Sequence, residues 1–307
     1  MISIIIVNYN MKELVSACLR SIFGDPPGAG CEVVLVDNNS ADGSAEYLKE
    51  KFPDVNIIKN SENAGFARAC NQGVRASGGD IVLFLNPDTE ANGGALDHMA
   101  SYLKENERAA IVGPKTVNTD GSIEPSVYYF PTPLRTFIDS LYLHKTFRGL
   151  NGYEHSDYES ITAPRKVEVI CGSCLMVKRE ALDAIGAFDE VMWMYGEDVD
   201  LCWRARKAGF DVLYLPGCSI VHKRGTRHLE EEAYHDIERL IYNHYRWIFY
   251  FARKHFSPLK RLMVHKLLAL NIKMKLSSRK KKLGKGDDSK DNLARIRGLE
   301  KVLDEFV

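Results

Sequence analysis

Glu32-Val-Val-Leu-Val-Asp-Asn-Asn-Ser40 is an apolar run that stops abruptly at four polar residues. The same design occurs twice more, at Ile2-Ser-Ile-Ile-Ile-Val-Asn-Tyr-Asn10 and at Ile81-Val-Leu-Phe-Leu-Asn-Pro-Asp88. Apolar runs of this length, rich in Val and Ile, read as buried strands. Further strands are predicted at Asn56–Lys59 and Ala110–Gly113. Helical patterns lie between them, near Met11–Phe23, Ser44–Phe52, Gly65–Ala76 and Gly94–Glu105. Strand–helix alternation at this spacing predicts an α/β fold: an open, twisted, mostly parallel sheet flanked by helices. In such sheets ligands sit beyond the carboxyl ends of the strands. Three polar clusters at three such ends describe one crevice.

Beyond Thr116 the pattern loosens as far as Arg165, and Tyr, Pro and His become frequent. This stretch reads as a loop-rich excursion. A strong strand is expected at Val167–Lys178, then a turn at Gly186-Ala-Phe188-Asp189. A helix follows from Glu197 to Ala208, ended by Gly209, with strands at Asp211–Leu215 and Ser219–His222. From about Leu229 the chain reads as helical, with Pro258 breaking it and Ser277–Lys290 as a charge-dense linker before a terminal helix at Asn292–Phe306. Residues 1–225 therefore form the expected catalytic domain, and 226–307 a helical extension.

The chain has 307 residues and 45% apolar content, enough for a sizeable core. Its formal net charge is zero, so composition alone names no polyanionic partner. That zero hides an asymmetry. Between Arg239 and Gly286 there are fourteen Lys or Arg and no Asp or Glu, leaving 27 basic against 41 acidic residues elsewhere. A basic arm on an acidic body suits something anionic. Tyr242–Phe256 interleaves aromatics with cations, and Leu259–Leu276 reads as a second basic amphipathic stretch. Three readings stay open for this arm: an interfacial membrane helix, packing or oligomer contact, and nucleic acid, the last disfavoured. No run reaches about 18 apolar residues, so a membrane span is not expected. A cytoplasmic protein, peripheral on the inner face of the cell membrane, is the expectation. Seven scattered cysteines read as reduced core thiols, Cys171-Gly-Ser-Cys174 included.

Several side chains suit phosphoryl-sugar chemistry, and each has a plainer reading. Asp37 can accept hydrogen bonds from a nucleobase or ribose, or merely cap a turn. Asn8-Tyr9-Asn10 has the same ambiguity. Asp88, fixed by Pro87 at a strand end, can hold a divalent metal that bridges two phosphates, or make a turn. Glu197, Asp198 and Asp200 suit a helix dipole, or crowd one another until one becomes a general base. His222 ends an apolar strand, where a neutral imidazole suits a metal or a structural role.

Taken in order, the motifs resemble family 2 glycosyltransferases of the GT-A fold, in the rhamnosyltransferase-like branch. The matching residues are Val7-Asn-Tyr-Asn10, Val36-Asp-Asn-Asn-Ser40, Asn63-Ala-Gly-Phe-Ala67 with Asn71, Asn86-Pro-Asp88, Gly172-Ser-Cys-Leu-Met-Val-Lys-Arg179, Gly186-Ala-Phe-Asp189 and Glu197-Asp-Val-Asp-Leu-Cys-Trp-Arg204. The resemblance covers residues 1–225. It implies a donor site formed by Val7, Asn8, Tyr9, Asn10, Asp37, Asn39, Asn63, Gly65, Phe66, Asn71, Asn86 and Pro87, with Asp37 on the base. Arg68 is added as a residue able to reach a phosphate. It implies Mg²⁺ or Mn²⁺ on Asp88 and His222. Asn86 stands where the general D-x-D motif has its first Asp, which removes one carboxylate from the metal site. Asp198 is the implied catalytic base, with Glu197 and Asp200 orienting and tuning it, in an inverting transfer. The implied partners are a nucleotide-sugar donor, dTDP-rhamnose or a UDP-sugar, and a glycan or lipid-linked acceptor. The Gln/Arg-x-x-Arg-Trp motif of processive polymerases is not found, which implies one sugar added per encounter. Other donor sugars, a non-catalytic role and oligomer formation stay open.

Overall fold

A computed structural model describes residues 1–91, 93–147, 149–154, 158–223 and 233–307. In chain order the elements begin with β1 (Ile2–Asn8), α1 (Lys12–Gly24), β2 (Cys31–Asp37), α2 (Ser44–Lys51), β3 (Asn56–Lys59), α3 (Phe66–Arg75), β4 (Ile81–Leu85), β5 (Thr89–Glu90), α4 (Gly93–Glu105) and β6 (Ala109–Val117). They continue with β7 (Ile123–Glu124), β8 (Val127–Tyr128), α5 (Pro133–Ser140), α6 (Leu143–Thr146), β9 (Arg165–Lys166), β10 (Val169–Ile170), β11 (Cys174–Lys178), α7 (Arg179–Ile185), α8 (Glu197–Lys207) and β12 (Asp211–His222). Helices α9 (Ala233–His255), α10 (Pro258–Leu283) and α11 (Lys290–Phe306) complete the chain. The helical start expected near Leu229 lies outside the described residues.

The chain divides into two compact units, Met1–Tyr128 with Asp157–Arg224, and Tyr129–Ser156 with Gly225–Val307. The first unit is built on a mixed, mostly parallel sheet with strand order β3-β2-β1-β4-β11-β6-β12-β5. Strands β3, β2, β1 and β4 are mutually parallel, and β12 runs parallel to β6. Strand β11 is antiparallel to both β4 and β6. The chain leaves β1 towards β2 and β3, then returns on its other side as β4, so the order reverses there. Ile2, Ile4 and Ile6 enter a core with Val15, Leu19 and Ile22 of α1 and Leu96, Met99 and Leu103 of α4. Ile5, on the opposite face of β1, lies against Gly73 of α3. Burial on both faces accounts for the unbroken apolar runs that announce these strands.

Three boundaries differ from the sequence reading. The single strand expected at Val167–Lys178 is broken at Cys171–Ser173. Strand β10 pairs with β8 in a separate two-stranded sheet, and β11 enters the main sheet. The backbone of the break is not left without partners. Cys171 N–H donates to Ser126 O and Gly172 N–H to a side chain, while Ser173 O accepts from Asn86 N–H. The two strands expected at Asp211–Leu215 and Ser219–His222 are one, with a register shift between Leu215 and Ser219 at the Pro216-Gly217 step. The linker expected from Ser277 is helical as far as Leu283. Arg and Lys are good helix formers, and Lys280 pairs with Glu300 at 2.7 Å. Helix α7 was not anticipated.

The second unit packs α9, α10 and α11 around Tyr245, Ile248, Phe249, Val264, Leu268, Ile272, Leu299 and Val302. Tyr129–Ser156 joins these helices although it falls inside the 1–225 stretch. Asn271 Nδ2 of α10 donates to Ser140 O at the end of α5, and Tyr153 Oη bonds Thr136. The aromatics of α9 turn inward. Phe249 stacks on Phe306 at 4.9 Å, and Tyr245 and Phe251 are buried. Helices α9 and α11 approach closely at Gly298, where a Cβ would lie 2.8 Å from Glu238 O and 2.9 Å from Ile241 Cβ. Gly298→Ala is therefore expected to cost about 1–3 kcal/mol from overpacking, outweighing the roughly 1 kcal/mol that Ala gains in helix propensity. A melting temperature several degrees below wild type is the expected readout; an unchanged one would contradict this contact.

Candidate active site

The ends of β1 and β2 are tied together by side chains. Asn8 and Asp37 stand opposite each other in the register. Asn8 Nδ2 donates to Asp37 Oδ1 at 2.8 Å, Ser40 Oγ at 3.0 Å and Ser44 Oγ at 2.7 Å. The other Asp37 oxygen accepts from Ser40 N–H at 3.0 Å. Asn8 and Asp37 are buried, and Asn8 Oδ1 has no hydrogen-bond partner. This lattice fixes the shape of the strand ends. Tyr9, Asn10 and Asn39 are the members left exposed there, while Val7 is buried beneath them. Asn10 and Asn39 adopt left-handed backbone conformations (φ 53° and 66°), which Asn tolerates better than most residues.

Asn38 organises the next loop. Its Nδ2 donates to Asn63 Oδ1 and Gly65 O, and its Oδ1 accepts from Asn60 Nδ2 and Ala64 N–H. Gly65 is obligatory here. Its φ is +86°, and a Cβ would lie 2.6 Å from Trp193 O. That same oxygen accepts from Phe66 N–H at 2.8 Å, so residue 193 is latched to the start of α3. Asn71 is buried and clamps the 188–190 loop, donating to Phe188 O and Glu190 and accepting from Phe188 N–H. Arg68 is exposed.

Asp88 and His222 meet, as the sequence reading requires. The register of β5 and β12 places His222 opposite Thr89. His222 Nε2 lies 3.2 Å from an Asp88 oxygen, and Nδ1 lies 2.8 Å from Glu124 Oε2. Burial favours the neutral imidazole, but the hydrogen bonds to Asp88 and Glu124 outweigh it and raise its pKa to about 9. Glu124 was missed by sequence reasoning, because it lies in the loosely patterned stretch after Thr116 where no periodicity points to it. A carboxylate on the far nitrogen fixes the tautomer of a metal-binding histidine, so this arrangement fits an ion held through Asp88 and Nε2. Among the described residues no three His, Cys, Asp or Glu side chains converge as a complete metal cage. Asn86 is half-buried, Pro87 buried; the Asn86 carbonyl accepts from Thr89 Oγ1 at 2.7 Å, which fixes the turn carrying Asp88.

Asp198 lies in the first turn of α8. Its Oδ2 accepts from Gly172 N–H at 2.8 Å and its Oδ1 from Val199 N–H at 2.8 Å. The neighbouring residue of the same connector, Ser173, accepts from Asn86 N–H at 3.0 Å. Two successive residues thus fasten the turn after β4 and the carboxylate of α8 to one backbone. Burial pushes the Asp198 carboxyl up, and the two N–H bonds oppose that shift. Glu197 is buried, and its Oε2 has no hydrogen-bond partner. Burial, then the nearby charge of Asp198, raise its pKa well above the usual carboxylate range. Glu197 is pushed further up than Asp198, whose two N–H bonds favour its charged form. Asp200 is turned to Arg204 at 2.7 Å. The Arg204 guanidinium also donates to the carbonyls of Ile185, Gly186 and Ala187. It secures the Gly-Ala-Phe turn. The cysteines are free thiols, and burial raises the pKa of Cys174 well above normal, which leaves it inert.

The sequence matches the family described as glycosyl transferase family 2 over residues 3–186. It is 30% identical over 216 residues to the N-acetylglucosaminyl-diphospho-decaprenol L-rhamnosyltransferase of Mycobacterium tuberculosis (strain ATCC 25618 / H37Rv), covering 66% of this chain and 70% of that one. It is 28% identical over 229 residues to the dTDP-rhamnosyl transferase RfbF of Shigella flexneri, covering 73% and 69%. Its fold resembles that of a mannosyltransferase from Pyrobaculum calidifontis in complex with GDP-Man and Mn²⁺. The TM-score is 0.58 and the identity 17%, over 99% of this chain and 87% of that one.

The His222 environment has a consequence in the metal-free protein. Its pKa in the folded state, about 9, lies above the unfolded value of about 6.5. The stabilisation is complete below the unfolded value and is lost as pH rises through 9. Melting temperatures in chelator are expected to fall from pH 7 to pH 10 by a few degrees more in wild type than in His222→Gln. Parallel pH profiles for the two proteins would refute the assignment.

Proposed function

The chain belongs to glycosyl transferase family 2 and has the GT-A fold, and from that premise we propose that it transfers a single sugar from a nucleotide-sugar donor to a hydroxyl of a glycan or lipid-linked acceptor, with inversion. The donor is dTDP-rhamnose or a UDP-sugar, and the product serves cell-surface polysaccharide synthesis on the inner side of the membrane. Similarity to two rhamnosyltransferases supports rhamnose as the first sugar to try. One observation carries the assignment of the site: Gly172 and Ser173, adjacent in the chain, bind Asp198 and Asn86 respectively.

Residues 1–225 are assigned the chemistry. Asp37 and Asn8 shape the nucleoside end, and Tyr9, Asn10 and Asn39 present exposed groups to it. Asn63, Gly65 and Phe66 line the donor site, Asn71 holds the loop behind it, and Arg68 reaches a phosphate. Asn86 and Pro87 set the turn at the diphosphate. Asp88 and His222 are the residues that would hold Mg²⁺ or Mn²⁺, which would supply positive charge to stabilise the departing diphosphate. Asp198 accepts the proton of the acceptor hydroxyl as its oxygen attacks the anomeric carbon from the face opposite the nucleotide. The two N–H bonds that Asp198 accepts favour its charged form, and Asp200 with Arg204 holds the helix that carries it.

The test is transfer from dTDP-rhamnose, UDP-N-acetylglucosamine and GDP-mannose to a polyprenyl-diphosphate-linked sugar, with thermal stabilisation by each nucleoside diphosphate and Mn²⁺ measured alongside. A ligand at about a hundred times its Kd adds roughly 2.7 kcal/mol, which shifts the melting temperature visibly. Asp198→Asn is expected to lower transfer by about 10²–10⁴-fold with nucleotide stabilisation unchanged. Loss of nucleotide stabilisation in that variant would sink the base assignment, and no stabilisation of wild type by any nucleotide would sink the donor site.

A further inference from the structure

Helix α10 carries two apolar faces. Val264, Leu268 and Ile272 are buried in the helical core. Leu259, Leu262, Met263, Leu270 and Met274 are exposed, Leu259 at 69% and Leu262 at 50%. At about 100° per residue these positions fall in one stripe opposite the core. Helix α5, tied to α10 through Asn271 and Ser140, adds exposed Leu134, Phe137 and Leu141, with Leu134 at 68%. A globular helix needs one apolar face. Scattered exposed leucines are ordinary, but five exposed apolar side chains along one stripe of α10, with three more on a helix packed against it, call for a partner.

The charge around the patch selects that partner. Lys266, Lys273 and Lys281 recur along the same stripe and are exposed. Towards the end of α10 a concavity of about 500 Å³ is lined by Lys273, Leu276, Ser277, Lys280 and Lys281. The whole stretch from Arg239 to Gly286 has fourteen Lys or Arg and no acidic residue. A second copy docked on this face would bring like charges together. Anionic lipid would neutralise them while its acyl boundary takes up the leucines. None of the described helices is long and apolar enough to cross a membrane, and a helix with lysines along its apolar stripe suits lying in the interface.

We infer that the exposed face of α10 and α5 docks on the surface of a bilayer containing anionic phospholipid, with the leucines at the acyl boundary and the lysines on lipid phosphates. Tyr245, Phe249 and Phe251 of α9, the more conspicuous part of the basic arm, take no part because they are buried. This docking surface does not draw on the donor or acceptor assignment.

The experiment is co-sedimentation of the full chain with phosphatidylglycerol–phosphatidylcholine vesicles and with pure phosphatidylcholine vesicles. One variant combines Leu259→Gln, Leu262→Gln, Leu270→Gln and Met274→Gln, which leaves the charge unchanged. Another combines Lys266→Gln, Lys273→Gln and Lys281→Gln. Wild type is expected to partition onto anionic vesicles, less so as salt rises, and to bind neutral ones weakly. The apolar variant should bind anionic vesicles at least about tenfold less well, and the lysine variant should lose the preference for anionic lipid. Both sets of positions are exposed, so melting temperature and nucleotide binding should match wild type, which separates this test from that of the enzyme activity. Failure of wild type to bind anionic vesicles at low salt would overturn the inference, as would wild-type binding by the apolar variant. A concentration-dependent dimer in sedimentation velocity, absent from the apolar variant and accompanied by no vesicle binding, would assign the face to a second copy instead.

Discussion

Cys174 lies opposite Leu85 in the register of β11 and β4, and the two strands run antiparallel. The start of β11 therefore falls where β4 finishes, at the edge of the sheet where Asn8 and Asp37 also end. The residues leading into β11 have no choice but to cross that edge. Gly172 and Ser173 are those residues, and their backbone groups are taken up by Asp198 and Asn86. An antiparallel strand between the parallel pairs β1–β4 and β6–β12 thus brings a later segment of the chain to the strand ends. Without it, α8 would have no backbone fixing its first-turn carboxylate beside the end of β4.

The charges at this edge are arranged so that each has a counterweight. Asp200 is fully buried and tolerable because Arg204 meets it in bonding distance; an unpaired carboxylate there would be costly. Arg204 in turn spends its remaining donors on three carbonyls, which joins the 185–187 turn to α8. Glu197 has no such partner, and burial pushes its carboxyl well above the usual carboxylate range. Asp198 has two N–H donors and is the better place for the negative charge. His222 is flanked by Asp88 and Glu124, so two carboxylates and one imidazolium balance to a single negative charge.

Much of this was legible in the sequence because parallel strands announce themselves. Unbroken Ile, Val and Leu runs with polar residues at their ends mark β1, β2 and β4. The meeting of Asp88 and His222, which are far apart in the chain, was accessible only through the family resemblance, since register between β5 and β12 cannot be read from either segment. Glu124 had no signal at all: a two-residue strand in a loose stretch carries no period. The break at Cys171–Ser173 was hidden for a different reason. Apolar residues continue on both sides of it, so composition sees one strand where hydrogen bonding makes two in separate sheets. Asn71, read as a donor-site residue, clamps the 188–190 loop, and Asp200, read as orienting Asp198, pairs with Arg204.

The helical unit shows how composition can point to the right region and the wrong residues. Tyr, Trp and Phe among cations drew attention to α9, yet aromatic side chains are the largest apolar groups available and a small helical core needs them. Tyr245, Phe249 and Phe251 are spent on that core. Helix α10 looked merely amphipathic because its leucines were counted together. Divided by face, they are more than the core can use: one set is buried on α9 and α11, and the other faces outward along the lysines. Helical periodicity detects a single apolar stripe best when the opposite side is polar. A helix with two apolar stripes dilutes its own signal, so only the packing reveals which leucines the fold requires and which it leaves for something else.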